Sequence, residues 1–396
     1  MTLLRRKRKY LAFRSPRFFN LFRRNTEAFS TRGNRVELFK QGGEFFPAMF
    51  QAIHQAERTV CLEFYIIRDD ATGRAFADTL LAAAARGVMV YLLYDYIGCF
   101  DTPGSFFRRL EKGGVACCPF NPPPFRKGIA WFDKRDHRKI AVIDGKTAFT
   151  GGLNIGDEYA GHGENAHRWR DVGIRIEGPA VQELQRLFRE SWHSEKRKVP
   201  EGCADNYQLS DPPGADEVFI VNGGPHHNRS FIRSAFRMAI AGASDSITIA
   251  NPYFIPGPRV TRSLLRAAGR GVQVRLIFPA KSDVPLVKLV SRTYYAPLLR
   301  SGIEIFEREG TMLHAKVMLI DECWSVIGSA NLDQRSFHRN YEVNVIVDSL
   351  EFGKQVAEML AVDLAGSRRI MLAEHEKRGW YVRFLERLCS PVSWFL

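Results

Sequence analysis

The sequence predicts an α/β protein built from two similar lobes, each a β-sheet flanked by helices, related by a pseudo-twofold axis with one active site between them. Three observations lead to this fold class. The chain of 396 residues has the length of two domains of about 200 residues each. Hydrophobic residues make up 45% and charged residues 25%, which is ordinary globular composition and excludes a mainly disordered chain. Finally, the second half of the sequence repeats the pattern of the first.

The repeat is a succession of strand-like segments and helices. In each copy a Gly-Gly pair opens a helical stretch, a β-branched strand follows, and an alanine- and leucine-rich helix ends in Arg-Gly-Val before the next apolar strand. The corresponding marks are Gly42–Gly43 and Gly223–Gly224, the strands 59–67 and 246–254, and the Arg-Gly-Val segments that begin at Arg86 and Arg270. Strands that alternate with helices are typical of α/β halves.

We expect five segments along the chain. These are a basic aromatic membrane-binding tail (1–34), an N-terminal lobe with a first motif (35–200), a linker (201–216), a C-terminal lobe with a second motif (217–365) and a C-terminal amphipathic segment (366–396). The linker carries Pro212, Pro213 and Gly214, residue types that mark loops.

The net charge of +14 is concentrated at the N-terminus, where the first 24 residues hold nine lysines and arginines and no acidic residue. Aromatic residues such as Phe18, Phe19 and Phe22 are interleaved with them. Each cation near anionic headgroups contributes about 1 kcal/mol, and aromatic rings insert at the interface, so we interpret the tail as binding an anionic phospholipid membrane. A solvated or nucleic-acid-binding arm and a transit peptide are alternatives.

The C-terminal segment shows apolar residues at helical spacing, namely Trp380, Tyr381, Phe384, Leu385 and Leu388. This pattern fits a helix that packs on the core and equally a helix that lies at a membrane interface.

The cysteine pattern predicts a reduced, cytosol-facing protein. The seven cysteines are scattered and form no C-x-x-C pair, so we expect neither a disulfide framework nor a cysteine metal site. The sequence also has no uninterrupted apolar window of about 18 residues, the length that a spanning helix needs.

Each half carries the same polar motif. It consists of His-x-Lys, four apolar residues and Asp, followed by a Gly/Ser-x-Asn segment. The members are His137, Lys139, Asp144, Gly152 and Asn154 in the first half, and His314, Lys316, Asp321, Ser329 and Asn331 in the second. One such motif is weak evidence, but two copies at corresponding repeat positions predict a composite site.

The residue types indicate chemistry at phosphorus. The apolar run predicts a buried strand, and a two-residue step places each histidine and its lysine on one face. Two histidines in one cleft can divide the work, one attacking phosphorus as a neutral nucleophile and the other protonating the departing oxygen. We expect the lysines, and the backbone N–H groups and asparagines of the segments at Gly152 and Ser329, to contact substrate and offset charge on the nonbridging oxygens. The sequence shows no clustered carboxylates with metal-ligand character, so we expect a metal-independent reaction.

Two carboxylates are candidates to orient the histidines. Asp171 and Glu342 lie 34 and 28 residues after their histidines, each at the start of a strand-like run. A partner on the second ring nitrogen fixes the tautomer of a histidine. Which carboxylate serves which histidine, within or across the halves, stays open, and both residues also fit ordinary strand-end charges.

With these motifs the sequence resembles the phospholipase D superfamily with paired His-Lys-Asp motifs, and within it the bacterial cardiolipin synthases of the B type without transmembrane helices. The resemblance covers roughly Arg35 to Asp348. The strings that narrow it begin at Leu62 (Leu-Glu-Phe-Tyr-Ile), Gly151, Arg170, Asn251 (Asn-Pro-Tyr-Phe-Ile-Pro), Lys281 (Lys-Ser-Asp) and Gly328.

The resemblance implies a phosphatidyltransferase that works without a cofactor or metal. It implies His137 as nucleophile and His314 as general acid and base, with Lys139, Lys316, Asn154 and Asn331 around the phosphate. Asp144 and Asp321 are then grouped with the catalytic residues, as motif positions that brace the site.

The implied reaction loads a phosphatidyl group from phosphatidylglycerol onto histidine and passes it to a second phosphatidylglycerol or another phospholipid. The implied location is the cytoplasmic side of a bacterial inner membrane, as a peripheral protein, and we expect no nucleic-acid partner.

Three other functions compete with this interpretation. Water attacking the same intermediate gives a phospholipase D, a nuclease of the same superfamily would use the basic tail on nucleic acid, and a scaffold would bind lipid without catalysis. The apolar stretch from Phe120 to Phe125, continued by Trp131 and Phe132, suits acyl chains at the cleft mouth or a packed loop. Both motifs are complete, which argues against the scaffold.

Overall fold

We analysed a computed structural model of the chain, which describes residues 13–123, 133–161, 168–195, 198, 202–203, 211–225 and 230–389. The first half contains α1 (Pro16–Thr26), β1 (Phe29–Phe39), α2 (Gly42–His54), β2 (Thr59–Phe64), α3 (Ala71–Ala85), β3 (Met89–Asp95), α4 (Gly104–Lys112), β4 (Ala116–Phe120), β5 (Ile140–Ile143), β6 (Thr147–Gly151), β7 (Gly173–Glu177) and α5 (Ala180–Ser194).

The second half repeats this succession and adds short elements at its end. It contains β8 (Asp216–Gly223), α6 (Phe231–Gly242), β9 (Ser246–Ala250), α7 (Gly257–Ala268), β10 (Gln273–Pro279), α8 (Pro285–Arg292), α9 (Tyr295–Arg300), β11 (Glu304–Arg308), β12 (Val317–Ile320), β13 (Trp324–Gly328), α10 (Gln334–His338), β14 (Glu342–Asp348), α11 (Leu350–Ala365), β15 (Ser367–Arg369), α12 (Leu372–Glu376) and α13 (Trp380–Cys389).

The strands form one continuous sheet of 15 strands in the order β15-β11-β10-β9-β12-β13-β14-β8-β1-β7-β6-β5-β2-β3-β4. Read outward from the centre, β1-β7-β6-β5-β2-β3-β4 has the same order as β8-β14-β13-β12-β9-β10-β11. The predicted two-lobe α/β fold is therefore confirmed. The two predicted sheets are joined edge to edge, because β1 and β8 pair antiparallel at the centre, with Phe29 opposite Ile220.

A hydrophobic core shared by both halves binds them together. The inner faces of α5 and α11 contribute Leu184 and Val356 to one cluster that also contains Ile174 of β7 and Val345 of β14. Separate clusters lie under α2 to α4 in the first half and under α6, α7 and α9 in the second. The parallel strand pairs β2–β3 and β9–β10 need crossover helices, which are α3 and α7.

Phe18 and Phe22 of the N-terminal segment pack on the second half, so the prediction that these two residues lie at a membrane is wrong. The helix α1 begins with Ser15, whose side chain accepts the backbone N–H of Phe18 at 3.2 Å. Phe18 and Phe22 are 1% and 0% exposed and contact the ring of Trp324 edge to face. Burying two phenylalanines contributes several kcal/mol, which outweighs an interfacial role. The basic run at residues 5–9 lies outside the described residues.

The helix α13 presents its apolar residues to solvent. Trp380, Phe384 and Leu388 are 75%, 58% and 63% exposed, and Tyr381 and Leu385 are also exposed. Of the two alternatives for this segment, core packing is therefore wrong for these five side chains. Residues 390–396 lie outside the described part of the chain. Among the described helices, none is both long enough and apolar enough to cross a membrane.

One cysteine prediction is wrong, because Cys61 of β2 and Cys203 form a disulfide. Both side chains are buried in the cluster that also contains the inner face of α5. The other cysteines of the described residues do not form disulfides. A separation of 142 residues in the sequence gave no indication of this contact. Half of the predicted linker, 201–216, lies outside the described residues, and β8 begins at its last residue.

Candidate active site

A cavity of about 360 Å³ lies where the two repeats meet. His137 and Asn154 of the first motif and His314 and Asn331 of the second line it. The structure thus brings the two predicted histidines to one cleft, although they are 177 residues apart in the sequence.

The backbone places each histidine beside the other half of the molecule. His137 lies just before β5, and its backbone N–H donates to the carbonyl of Tyr341 at 2.9 Å, next to β14. His314 lies just before β12, and its backbone N–H donates to the carbonyl of Arg170 at 2.8 Å. Both links are short parallel bridges across the interface of the halves. Each histidine therefore lies next to the carboxylate of the opposite repeat.

The side chains exchange partners in the same reciprocal way. His137 Nδ1 is 3.0 Å from Oε2 of Glu342, and His314 Nδ1 is 2.6 Å from Oδ2 of Asp171. Burial acts to raise the pKa of both carboxyl groups, but the adjacent lysines and histidines outweigh it and lower the pKa of each. The carboxylates are therefore anionic and accept the Nδ1–H groups, which leaves Nε2 of each ring to face the substrate. Nε2 of His314 also lies 3.1 Å from Nζ of Lys316.

Burial keeps both imidazoles neutral. It lowers the pKa of His314 to about 4, and the nearby Lys316 acts in the same direction. Burial also lowers the pKa of His137, partly opposed by Glu342. A neutral imidazole with a free Nε2 is the form that a nucleophile requires. An imidazole that donates a proton must first acquire one, and an anion in the cavity favours that step.

The two lysines are buried and differ in their surroundings. Lys139 Nζ donates to the carbonyl of His137 at 2.7 Å, and burial lowers the pKa of Lys139 to about 7. Lys316 Nζ donates to the carbonyl of His314 at 2.5 Å and lies 2.7 Å from its ring Nδ1. The second motif therefore holds its cation closer to the imidazole than the first, and the two histidines are not electrostatically equivalent.

The Gly/Ser-x-Asn segments divide into two roles. Asn154 and Asn331 line the cavity, and Oδ1 of Asn331 is buried without a hydrogen-bond partner among the described residues. Gly152 does not line it, and a Cβ there would approach Asp171 Oδ1 to 2.2 Å. Ser329 donates its hydroxyl to Glu342 Oε2. The interpretation of Gly152 and Ser329 as substrate contacts is therefore wrong, because these two positions support the orienting carboxylates.

The motif aspartates lie at the far ends of their strands. Asp144 accepts the backbone N–H groups of Glu57, Arg58 and Thr59 at 2.8–2.9 Å, and Asp321 accepts those of residues 244–246 at 2.9 Å. Six residues separate each aspartate from its histidine, which in extended conformation places the two roughly 20 Å apart. Grouping Asp144 and Asp321 with the catalytic residues is therefore wrong, because they tie β5 to β2 and β12 to β9.

Aromatic rings around the histidines were not singled out as site residues. Tyr65 contacts His137 edge to face, with ring centroids 4.9 Å apart, and Trp169 lies at the same distance from His314. Tyr253 lines the cavity and donates its hydroxyl to Asp283. These residues occur within or beside the sequence strings that carry the resemblance, which was the available indication. Asp333, Arg335 and Asn340 also line the cavity. The first two lie in the string that begins at Gly328, and Asn340 stands two residues before Glu342.

Among the described residues, no group of three or more histidine, cysteine, aspartate or glutamate side chains is arranged to hold a metal ion. Of the apolar stretch before the first motif, Phe120 is a buried residue of β4 that contacts Tyr341. Residues 124–132 lie outside the described part of the chain.

Comparison with known proteins agrees with this geometry. Residues 49–192 and 236–364 match the family described as cardiolipin synthase, PLD-like domain. The chain is 38% identical over 369 residues to cardiolipin synthase A of Pseudomonas syringae, covering 91% of this chain and 75% of the relative. It is 37% identical over 357 residues to cardiolipin synthase 2 of Bacillus anthracis, covering 89% and 69%.

Solved structures show the same fold at low sequence identity. Phosphatidylserine synthase of Haemophilus influenzae superposes with a TM-score of 0.67 at 13% identity, over 91% of this chain and 95% of that one. Polyphosphate kinase of Porphyromonas gingivalis superposes with a TM-score of 0.53 at 13% identity, over 84% and 50%. The family match spans both repeats and both histidine motifs, and the chain therefore belongs to the cardiolipin synthase family of proteins with phospholipase D-like domains.

Proposed function

We propose that this protein is a cardiolipin synthase, which transfers a phosphatidyl group from one phosphatidylglycerol to the hydroxyl of a second, giving cardiolipin and glycerol. The observation that carries the proposal is the pair of neutral histidines, each oriented by a carboxylate of the opposite half, in one cavity. This arrangement supplies two ring nitrogens to a single phosphorus atom.

In the first step, Nε2 of His137 attacks phosphorus and the bond from phosphorus to the glycerol oxygen breaks. Protonated His314 gives its proton to that oxygen, and glycerol leaves. The phosphodiester anion favours the protonated forms of His314 and of Lys139, because it places a negative charge beside them in a buried cavity. Lys139, Lys316, Asn154 and Asn331 offset charge on the nonbridging oxygens.

In the second step, neutral His314 removes the proton from the hydroxyl of the acceptor lipid. The hydroxyl oxygen attacks phosphorus, the bond from phosphorus to Nε2 of His137 breaks, and cardiolipin is released. Another phospholipid with a free hydroxyl serves the same step, whereas water in this position gives phosphatidic acid. The assignment of His137 as nucleophile and His314 as acid and base is part of the proposal.

We further propose that the enzyme is a peripheral protein on the cytoplasmic side of a bacterial inner membrane, where its lipid substrates lie. The exposed apolar side chains of α13 support this location, since five large apolar residues on one short helix form a surface that suits an interface. The basic residues 5–9 add attraction to anionic lipids. We retain 35–200 and 217–365 as the two functional repeats.

Incubation with labelled phosphatidylglycerol in vesicles tests the activity. Cardiolipin and free glycerol are the expected products, and phosphatidic acid without cardiolipin would show hydrolysis instead. His137→Ala and His314→Ala should each abolish transfer, whereas His54→Ala, which removes an exposed histidine of α2, should not. Near-normal transfer by either of the first two variants would contradict the shared site.

A further inference from the structure

Five arginines form a cationic surface on two adjacent helices of the second half. Arg233 and Arg237 lie one turn apart on α6, and Arg259, Arg262 and Arg266 follow one side of α7. The opposite sides of these helices carry Phe236, Val260 and Leu264, among others, into the core. We call these five residues the arginine surface.

The arginine surface lacks counter-charges. In the described part of the chain no carboxylate forms an ion pair with any of its members, whereas Arg74 on α3 pairs with Asp69 and Arg109 on α4 pairs with Asp78. Burial lowers the pKa of Arg237, and the neighbouring arginines on α7 lower it further. Arg233 is affected in the same way by Arg259 and Arg237. Like charges held together on a rigid layer repel each other, and an anionic partner removes that cost.

The arginine surface begins near the rim of the catalytic cavity. Arg233 Nη1 lies 2.6 Å from Nε2 of His338 on α10, and Arg335 of the same short helix lines the cavity. At the other helix, α7 begins four residues after Tyr253, which also lines the cavity. The arginine surface is therefore linked to the cavity wall through α10 and through the segment that precedes α7.

We propose that the arginine surface docks on the anionic phospholipid headgroups of the bilayer that supplies the substrate. This inference rests on the proposed function, because a lipid-transferring cavity must face a lipid surface. Guanidinium groups bind phosphate oxygens through paired N–H donors, which suits an array of headgroups. A membrane is favoured over nucleic acid because the same half exposes the apolar side chains of α13, and Cys389 of that helix packs near Val287 in the cavity wall.

The test compares two variants of the full-length protein. In the first, Arg237, Arg262 and Arg266 are all replaced by glutamine; none of them lines the cavity. The matched control replaces Arg74 and Arg109, exposed arginines of the first half, in the same way. Binding is measured by sedimentation with vesicles of phosphatidylglycerol and phosphatidylcholine, and with phosphatidylcholine alone, at low and high salt. Thermal unfolding and turnover of phosphatidylglycerol in neutral detergent micelles are measured in parallel.

Each arginine near an anionic surface strengthens binding by roughly fivefold, so the triple variant should bind anionic vesicles roughly a hundredfold more weakly at low salt. Its melting temperature and micellar turnover should stay at wild-type values, and the control should bind normally. Binding to a DNA duplex is measured in parallel. The proposal would be overturned if the triple variant bound anionic vesicles as the wild type does, or if it lost binding to DNA while keeping binding to vesicles. Wild-type protein that binds vesicles through these arginines but makes no cardiolipin would instead refute the proposed function.

Discussion

Replacing Glu342 with glutamine removes a negative charge from beside His137 and preserves the size and shape of the side chain. The new amide can still accept the Nδ1–H of His137 through its oxygen. Its NH₂ group then faces Asn340, whose own Oδ1 is buried without a partner among the described residues. A flip of the Asn340 amide supplies an acceptor for that group. We therefore expect Glu342→Gln to fold with a melting temperature close to that of the wild type.

The catalytic loss follows from the charge. A hydrogen bond to an ionised acceptor contributes about 1.5–3 kcal/mol. The amide oxygen keeps a neutral hydrogen bond of about 0.5–1.5 kcal/mol, so about 1–1.5 kcal/mol is lost as the imidazole becomes cationic on phosphorus. Formation of the phosphatidyl-enzyme should therefore slow by roughly 5- to 15-fold at 1.36 kcal/mol per factor of ten. Glu342 also raises the pKa of His137, so the substitution lowers it and weakens the nucleophile. Asp171→Asn changes the partner of His314 instead and should impair protonation of the leaving glycerol.

Single-turnover kinetics separate these two effects. The rate of phosphatidyl-enzyme formation is measured with phosphatidylglycerol and with a 4-nitrophenyl phosphatidyl ester, whose leaving group needs no proton. The activated ester should restore Asp171→Asn towards the wild-type rate and leave Glu342→Gln slow. Glu37→Gln, at an exposed glutamate of β1, is the control. A wild-type rate for Glu342→Gln with phosphatidylglycerol, or its rescue by the activated ester, would refute the reasoning and the assignment of His137 as nucleophile.

Four other predictions address separate features. Because the pKa of Lys139 is about 7, kcat/KM should fall as the pH rises through 7 and the ammonium loses its proton. Lys139→Met should remove this decrease from the pH profile together with much of the activity. Asp321→Ala should lower the melting temperature by several degrees, since three backbone N–H groups lose a charged acceptor at about 1.5–3 kcal/mol each before water compensates, but the folded fraction should keep its specific activity. Phe22→Ala should reduce the free energy of unfolding by about 3–5 kcal/mol in a denaturant titration, and an unchanged midpoint would contradict the packing of α1. Phe384→Ser combined with Leu388→Ser should weaken sedimentation with vesicles at both low and high salt without shifting thermal unfolding. Binding equal to that of the wild type would show that α13 does not face lipid.

The sequence predicted the elements that repeat. Two copies of one motif with the same trailing residues indicated that His137 and His314 meet, and the alternation of strands and helices indicated the α/β halves. The pairing of each histidine with a carboxylate could not be predicted, because it depends on how β1 and β8 join the halves. The spacing in the sequence is the same whether each histidine pairs with the carboxylate of its own repeat or with that of the other repeat.

Three of the wrong predictions have one physical cause. A pattern in the sequence does not show which parts of the fold pack against a given side chain. Phenylalanines among arginines describe an interfacial segment and also a helix such as α1, whose rings are buried while its cations point to water. The motif groups Asp144 with the reacting residues, although the four-residue strand β5 lies between the two and Asp144 stands at the end opposite His137. Gly152 looked like a place for a phosphate to approach, whereas the space left by its missing side chain is filled by Asp171.

Because His137 pairs with Glu342 and His314 with Asp171, neither repeat alone contains a histidine together with its orienting carboxylate. A fragment ending near residue 200 contains a nucleophile whose tautomer nothing fixes and a carboxylate with no ring to hold. Mixing the two separately produced fragments should therefore yield turnover only to the extent that they recombine, with a dependence on concentration that the intact chain lacks. Separation of the halves removes the orienting carboxylate from both histidines at once. Because the two repeats are covalently joined, the activity per molecule does not depend on the protein concentration.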